Sequence, residues 1–299
     1  MALNKEIWVH DIVEGFVPND SFLAKSVDHS EYVNNRTVHV PQAGAEPNTT
    51  KNRSSFPATI KTRTDSELTY DLDIYDVEPL RVQNLADVEL SYDKRQSMLR
   101  QSKRKLQRDV AIDTLKKWIP SGVTVLVTAG AAEDAHIHSA ATGQRKSMSK
   151  KTVLDAGKQF DLDDVPDDGR YMLLDAVMYN QLLNDLTNAE TNSFLAGADP
   201  ITGIIGTLYG FKFMKRSSVL TLTAGGALKT GTNSATDCAG ALAWQEDCVS
   251  RALGNVEMYE AIKDPTYYGD IFSYAVRAGG KYIREDKKGV VLIQQGTPA

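Results

Sequence analysis

The sequence predicts an α+β protein in which strands and helices are interleaved. Polar and apolar residues alternate without error over residues 67–74, which is typical of a half-buried strand. Residues 84–118 contain no proline or glycine and carry apolar residues at helical spacing, so they predict one long helix or two nearly collinear ones. The other predicted elements lack the regular βαβ order of a doubly wound sheet, which favours the α+β class.

Length and composition indicate a folded protein of one or two domains. The chain has 299 residues, against roughly 150 per domain. Its charged fraction of 24% excludes bulk disorder. A net charge of −5 argues against a dedicated nucleic-acid-binding protein, which usually carries a basic face. Cys238 and Cys248 are the only cysteines, so a disulfide scaffold is excluded and free thiols in a reducing compartment are favoured.

The first part of the chain predicts an arm followed by an extended hairpin. Residues 1–34 show no sustained period and lack the apolar stretch of a signal peptide, and no window is apolar enough to cross a bilayer. A short strand at residues 37–40 and the strand at residues 67–74 enclose a segment too polar to build a core. A loop that long is usually functional or disordered alone, so we expect another molecule to order it. We expect the first 77 residues to add nothing to the core of their own subunit.

The long helix is predicted to form a spine across the molecule. Extended over residues 84–118 it would run about 50 Å at 1.5 Å per residue, and Pro120 and Gly122 would end it. It carries the basic run Lys103–Lys105 with Arg100 and Arg108, which could face phosphates. Acidic residues on the same segment favour a mixed solvated face instead.

The second half of the chain predicts alternating strands and helices. Expected strands lie at residues 123–128, 170–174, 210–214, 219–223, 255–262 and 290–293. Expected helices lie at residues 150–160, 176–186 and 239–252, with a short helix from Asp270, a turn at residues 166–169 and a glycine-rich link after the second helix.

Two short motifs match part of the serine acyl-enzyme signature of penicillin-binding proteins. Ser147 and Lys150 stand in S-x-x-K, and residues 229–231 read K-T-G. The S-D-N element is absent, and the K-T-G lies in a segment with loop composition. A solvated helix start and a flexible loop are therefore favoured, and a serine acyl-enzyme using Ser147 and Lys150 remains an alternative.

Other chemistry-bearing residues give no complete site. His136 and His138 could offer two metal ligands from one face of a strand, but no third ligand follows at a recognised spacing, so a surface strand or loop end is favoured. The acidic residues between Asp161 and Asp168 lack the frame of a calcium loop and indicate a solvated turn. We therefore predict no catalytic residue, no metal ligand and no cofactor.

The order of these elements resembles the major capsid protein of tailed phages, whose fold is shared by encapsulin shells. Several local spellings carry the resemblance, and it spans about residues 35–295. Residues 165–174 give valine-proline, a turn, glycine-arginine and an apolar strand. The other matching segments are residues 206–218, 267–270, 279–284 and 289–292.

The resemblance implies a set of regions for this chain. They are an N-terminal arm (1–34), an extended hairpin (35–78), the spine helix of a peripheral domain (79–120), an axial domain around five- and six-fold axes (121–259) and a C-terminal return to the peripheral domain (260–299). It implies a subunit without enzyme activity that self-assembles into an icosahedral shell around a double-stranded DNA genome. Such a protein is located in the virion, after assembly in the host cytoplasm and maturation of a procapsid.

The resemblance also implies partners. They are further copies of the chain in pentamers and hexamers, a portal and a decoration protein, with weak, non-specific contact to packaged DNA and no membrane. About 34 residues precede the hairpin, fewer than a built-in scaffolding segment needs, so a separate scaffold protein is expected. Lys51 and Lys61 are available for crosslinks between subunits, but no motif identifies a reactive pair. An encapsulin-like compartment is the alternative with the same fold.

Overall fold

The fold, taken from a computed structural model, is α+β and is described for residues 22–34, 36–44, 48–54, 56–57, 60, 62–83, 94–199 and 201–297. The strands are β1 Val27–Asp28, β2 Val33–Asn34, β3 Thr37–Gln42, β4 Ser66–Asp71, β5 Asp73–Asp76, β6 Leu80–Gln83, β7 Thr124–Val127, β8 Ala132–Asp134, β9 Gln144–Lys146, β10 Arg170–Asp175, β11 Gly206–Leu208, β12 Phe211–Arg216, β13 Leu220–Leu222, β14 Cys238–Gln245, β15 Val249–Asp264, β16 Gly269–Tyr282 and β17 Val290–Gln294. The helices are α1 Lys94–Lys117, α2 Lys150–Leu162, α3 Ala176–Asp185 and α4 Asn188–Ala196, with 3₁₀ turns at Phe22–Ala24, Ser30–Tyr32 and Glu246–Cys248.

A seven-stranded sheet, here called the body sheet, forms the larger core. Its order is β11-β12-β10-β14-β17-β7, with β13 pairing β14. Every residue of β10 and β14 is buried. Alanines of β14 face a core shared with α2, α3 and α4, while Leu242 and Trp244 point to the other core, which contains Leu115 of α1 and Trp118. Burial on both faces therefore makes this sheet the centre of the subunit.

A second sheet of five strands carries α1. Its order is β1-β15-β16-β5, with β6 pairing β16. Leu106 and Val110 of α1 pack against Tyr274, Val276 and Ala278 of β16. Because α1 also reaches the core of the body sheet through Leu115, it joins the two sheets, as expected of a spine. The described helix has 24 residues, about 36 Å, and residues 84–93 of the predicted spine lie outside the described residues.

The extended hairpin predicted from the sequence is present, but its second strand divides. Residues of β3 and β4 pair antiparallel from Thr37 opposite Asp71 to Gln42 opposite Ser66. The predicted strand at 67–74 breaks at Leu72, after which β5 pairs with β16 instead. Leu72 is fully buried, its amide donates to the Arg36 carbonyl at 2.8 Å, and the Arg36 Nε donates back to the Leu72 carbonyl at 3.0 Å. The chain thus changes sheets at one firmly held residue.

The expectation that the first 77 residues add nothing to the core was wrong. Phe22 is buried in the core beneath the body sheet, and Val38, Tyr70 and Leu72 form a small core with Ala252 of β15. The base of the hairpin is apolar on one face, and that face closes over β15. Residues 1–21 of the predicted arm lie outside the described residues.

Two helices predicted in the second half were wrong. The helix expected at 239–252 is the strand β14, the turn Glu246–Cys248 and the start of β15. Burial on both faces gives β14 a continuous run of apolar residues, which periodicity alone cannot distinguish from a buried helix. The segment from Asp270, expected to form a short helix, is part of the strand β16. Every second residue there is buried, namely Phe272, Tyr274, Val276 and Ala278.

A helix also occupies the expected glycine-rich link. Helix α4 begins at a capping box, in which the Thr187 hydroxyl accepts from the Glu190 amide and the Glu190 carboxylate accepts from the Thr187 amide. This T-x-x-E spelling is the sequence signal for the start of α4.

Candidate assembly surfaces

The distal part of the hairpin exposes large apolar side chains. Phe56 is 78% exposed and Ile60 is 93% exposed. Nearer the strands, the Arg63 side chain bonds Asp65 at 2.6 Å, and the Asp65 carboxylate accepts from the Gly44 amide at 2.9 Å. We call the described residues between positions 43 and 65 the hairpin tip. Burying a large apolar side chain gains about 1.5–3 kcal/mol, so contact with another molecule would stabilise this tip.

The base of the hairpin is fixed by polar contacts with the rest of the subunit. Tyr70 accepts a hydrogen bond from the Ser250 hydroxyl at 3.2 Å, and burial raises the pKa of Tyr70 to about 12. The Tyr75 hydroxyl donates to Asp113 of α1 at 2.6 Å. Lys117 of α1 forms ion pairs with both Asp113 and Asp73. The base of the hairpin is therefore fixed to the subunit, while Phe56 and Ile60 at its tip are left exposed.

The segment before β1 is anchored in an aromatic cage. The Phe22 ring lies 5.7 Å from the Trp118 ring and 6.3 Å from the Trp244 ring, and the Arg216 guanidinium lies 5.1 Å from its centroid. The Trp244 indole donates to the carbonyl of Lys25 at 2.8 Å. The last part of the predicted arm, around Phe22 and Lys25, is thus part of the subunit core.

The turn between β15 and β16 forms a second exposed apolar surface. Tyr267 and Tyr268 stand at the turn, and Tyr259 and Ile262 of β15 are also exposed. We call these four residues the β15–β16 tip. Exposed aromatic clusters on a soluble protein mark contacts with other molecules.

The partial acyl-enzyme motif does not form a catalytic arrangement in the described structure. The Lys150 amine lies 3.3 Å from the Glu190 carboxylate, and the Lys229 amine lies 2.9 Å from Asp237. Ser147 is buried, and within the described part of the chain no hydrogen bond joins its hydroxyl to either lysine. A lysine that activates a serine must be neutral and within hydrogen-bond reach of it.

His136 and His138 bind two different carboxylates. His136 Nε2 donates to Asp175 at 2.8 Å, and His138 Nε2 donates to Asp237 at 3.1 Å. Both histidines lie in the loop after β8, in agreement with the expected loop position, but their side chains are only 16% and 14% exposed. Among the described residues, no three His, Cys, Asp or Glu side chains group so that they could hold a metal ion.

Each histidine ties a loop to a buried carboxylate that is also bonded elsewhere. Asp175 caps α3 by accepting from the Met178 amide at 2.7 Å. Burial acts to raise the pKa of Asp237, but its bonds to the Ser234 amide, Lys229 and His138 outweigh that effect and lower the pKa to about 2. The partners are 39 and 99 residues from the histidines, too far for a local spelling to reveal them.

The remaining sequence candidates take structural positions. Arg170 is buried and donates to Asp161 at 2.9 Å and to the Val165 carbonyl at 2.5 Å, so part of the predicted solvated acidic turn organises around it. Cys238 and Cys248 are buried free thiols, as predicted, and burial raises the pKa of Cys248 to about 11.

The basic run of α1 is described only in part. Arg108 lies beside Asp109 at 3.7 Å, while the side chains of residues 94–104 lie outside the described set. Within the same described residues, no helix is both long and apolar enough to span a membrane.

Solved structures that share this fold include phage capsids and a virus-like particle. The capsid of Cyanophage P-SCSP1u matches with a TM-score of 0.63 and 14% identity, covering 92% of this chain and 87% of that chain. The capsid of Ralstonia phage GP4 matches with a TM-score of 0.61 and 15% identity over 96% and 91%. A virus-like particle from Pyrococcus furiosus matches with a TM-score of 0.58 and 8% identity over 97% and 99%.

These likenesses establish the fold, and the sequence establishes the family. No curated protein matches the chain. A family model described as phage capsid protein matches residues 19–295, nearly the whole chain. The resemblance found in the sequence is therefore confirmed, and the chain belongs to the phage capsid protein family.

Proposed function

We propose that this chain is the major structural subunit of an icosahedral phage head, which self-assembles into the shell around a double-stranded DNA genome. The observation that carries the proposal is the hairpin, whose base is locked into the subunit while Phe56 and Ile60 are left uncovered at its tip. A side chain that gains nothing in its own subunit gains burial when a neighbour covers it. Membership of the phage capsid protein family supports the same function.

The two sheets supply the proposed domains. The body sheet with α2, α3 and α4 is the axial domain, which gathers around five- and six-fold axes, and the β15–β16 sheet with α1 is the peripheral domain. By strand pairing, residues 249–259 go with the peripheral sheet and β17 goes with the axial sheet. This division differs from the contiguous one expected for residues 121–259 and 260–299.

The proposed partners are further copies of the chain, a separate scaffold protein and a portal, with a decoration protein on the finished shell. Packaged DNA would contact the inner wall weakly, since the chain carries a net charge of −5. The mature location is the virion, after assembly in the host cytoplasm.

We propose no enzyme activity. The amines of Lys150 and Lys229 both pair with carboxylates, which supports a structural position for the S-x-x-K and K-T-G spellings. A fluorescent β-lactam tests this directly: the wild-type chain should take up no more label than the Ser147→Ala variant. Covalent labelling that disappears in Ser147→Ala would contradict it.

Electron microscopy tests the shell. The chain, expressed alone and with a candidate scaffold, should form closed icosahedral particles in at least one condition. Monodisperse monomers in every condition would overturn the proposal. Particles isolated from phage-infected cells should contain nuclease-protected double-stranded DNA, whereas a genome-free shell filled with protein cargo would indicate an encapsulin-like compartment.

A further inference from the structure

The base of the hairpin rests on two glycines of the β15–β16 strand pair. Leu72, the residue before β5, is fully buried where the hairpin joins that pair. A Cβ atom added to Gly254 of β15 would lie 3.0 Å from one methyl group of Leu72. A Cβ atom added to Gly279 of β16 would lie 3.1 Å from the other methyl group. The Leu72 side chain thus packs directly on the backbone of both strands, and we call Gly254 and Gly279 the glycine pair.

The glycine pair is required for space rather than for backbone conformation. Neither glycine has a positive φ, so a residue with a side chain could adopt the same backbone. Glycine inside a strand weakens that strand relative to alanine, and it often marks a place where another part of the chain approaches closely. The close approach of Leu72 is therefore the physical reason for glycine at both positions.

The neighbouring glycine faces the other side of the strand pair. A Cβ atom on Gly280 would meet the Ser250 carbonyl, and it would lie 3.1 Å from the Trp118 Nε1 at the end of α1. Successive residues of a strand point to opposite faces of the sheet. At this point one layer of backbone separates the hairpin from the end of α1. A side chain at position 279 therefore acts on the hairpin, whereas a side chain at position 280 acts on the packing of α1.

A small displacement at Leu72 grows along the hairpin. The Leu72 amide and the Arg36 carbonyl bond at 2.8 Å, which ties the two sides of the hairpin together at its base. Ser66, at the far end of β4, lies about 20 Å from Leu72 along the chain, and neighbouring strands are about 4.8 Å apart. A shift of a few tenths of an ångström at Leu72, about a pivot one strand away, therefore moves Ser66 by about 2 Å.

We propose that the glycine pair sets the direction in which the hairpin leaves the subunit, and through it the geometry of the contact that the hairpin tip makes with another copy of the chain. Gly254 and Gly279 are positioning residues, since they act through Leu72 and touch no neighbouring copy themselves. This inference rests on the proposed function, because the direction of the hairpin matters only if its tip is covered in a shell.

Gly279→Ala is the principal variant, because its methyl group pushes against Leu72. Leu72→Val combined with Gly279→Ala is the matched rescue, since valine lacks the two methyl groups that the alanine would meet. Gly225→Ala is the control, because Gly225 is exposed, has no positive φ and has its nearest neighbour, the Thr223 hydroxyl, at 3.9 Å. Gly280→Ala tests the opposite face of the same strand.

Two measurements separate the direction of the hairpin from the stability of the subunit. Nitroxide labels at Ser66→Cys on β4 and at Lys158→Cys on α2 or Lys116→Cys on α1 report the direction, by pulsed dipolar spectroscopy on the full-length monomer. All three positions are exposed, and the two native cysteines are buried. Thermal unfolding and electron microscopy of assembled particles are recorded on the unlabelled variants.

Gly279→Ala should shift at least one of the two label distances by about 2 Å and should lose most closed particles of wild-type diameter, while its thermal midpoint stays close to that of the wild type. The double variant with Leu72→Val should return both the distances and the particles toward the wild type, since contacting residues do not act additively. Gly225→Ala should match the wild type in every measurement. Gly280→Ala should lower the thermal midpoint and leave the label distances unchanged.

Several results would overturn the inference. Unchanged distances in Gly279→Ala would show that the glycine pair does not set the direction, and shifted distances with normal particles would show that the direction does not set the contact. An equal shift in Gly280→Ala, or no rescue by Leu72→Val, would remove Leu72 as the link. If Gly279→Ala fails to fold, Gly254→Ala, which meets the other methyl group of Leu72, replaces it. Failure of the wild type to assemble in any condition would sink the proposed function, whereas the label distances would still test the glycine pair in the monomer.

Discussion

The body sheet and the hairpin tip differ in how far their apolar side chains are buried. In β14 all eight residues are buried, whereas in β4 only Tyr70 is buried and the tip beyond it leaves Phe56 and Ile60 in solvent. Burial of apolar area is the main favourable term in folding. The difference teaches that the body supplies the stability of the isolated subunit, while the tip depends on what covers it.

The largest expected effect is at Trp244, in the body. Trp244→Ala removes a fully buried ring that stacks on Tyr171 and contacts Trp118, so it should lower the free energy of unfolding of the isolated subunit by about 3–5 kcal/mol. Trp244→Phe, which keeps a ring but loses the hydrogen bond to Lys25, should cost less. Denaturant unfolding measures both. An alanine effect near zero would break the comparison, because the body would then not be the source of stability.

A smaller effect on the free energy of unfolding, which depends on pH, is expected at Asp237. Its folded pKa of about 2 lies below its ordinary 3.8, so its ionised form stabilises the fold above pH 4, and that contribution is lost as the pH falls from about 4 to about 2. Asp237→Asn should therefore be less stable than the wild type at pH 7, with the difference shrinking below pH 4. Urea unfolding between pH 2 and pH 7 measures it. Asp134→Asn, on exposed β8, is the control and should show no such trend.

The smallest effect on the isolated subunit is expected at the tip. Ile60→Ser should leave the free energy of unfolding within about 0.5 kcal/mol of the wild type, because Ile60 is 93% exposed. Leu72→Ala, at the buried base of the same hairpin, should cost about 2–5 kcal/mol. The same Ile60→Ser variant should require a higher protein concentration to form particles, measured by light scattering. Unchanged assembly would show that neighbours do not cover this side chain.

Much of the fold could be predicted because local sequence patterns indicate its strands, helices and turns. The turn at 166–169 and the apolar run after it gave β10, and the polar stretch between two strands gave the hairpin. The strand β14 could not be read as a strand, since its alanines and leucines face two cores and leave no alternation. The burial of β14 on both faces depends on tertiary packing, which a local sequence pattern does not show.

The chemistry of the candidate sites was less visible in the sequence. The residue types around His138 suggested a ligand pair or a surface loop, and the actual partner is Asp237. The strands that end the body sheet could not be predicted for a similar reason. Nothing local tells that β7 and β11, distant in sequence, end the same sheet.

The strand order of the body sheet has a consequence for the time course of synthesis. Strand β17 lies between β14 and β7 and is made after every other strand of that sheet. A ribosome adds about 5–20 residues per second. The carbonyl of Lys25 therefore waits about 10–45 s for its hydrogen-bond donor Trp244, which lies 219 residues later in the chain. Until β17 follows, β7 has no partner strand. A growing chain therefore cannot complete the body sheet, which delays assembly until the subunit itself is finished.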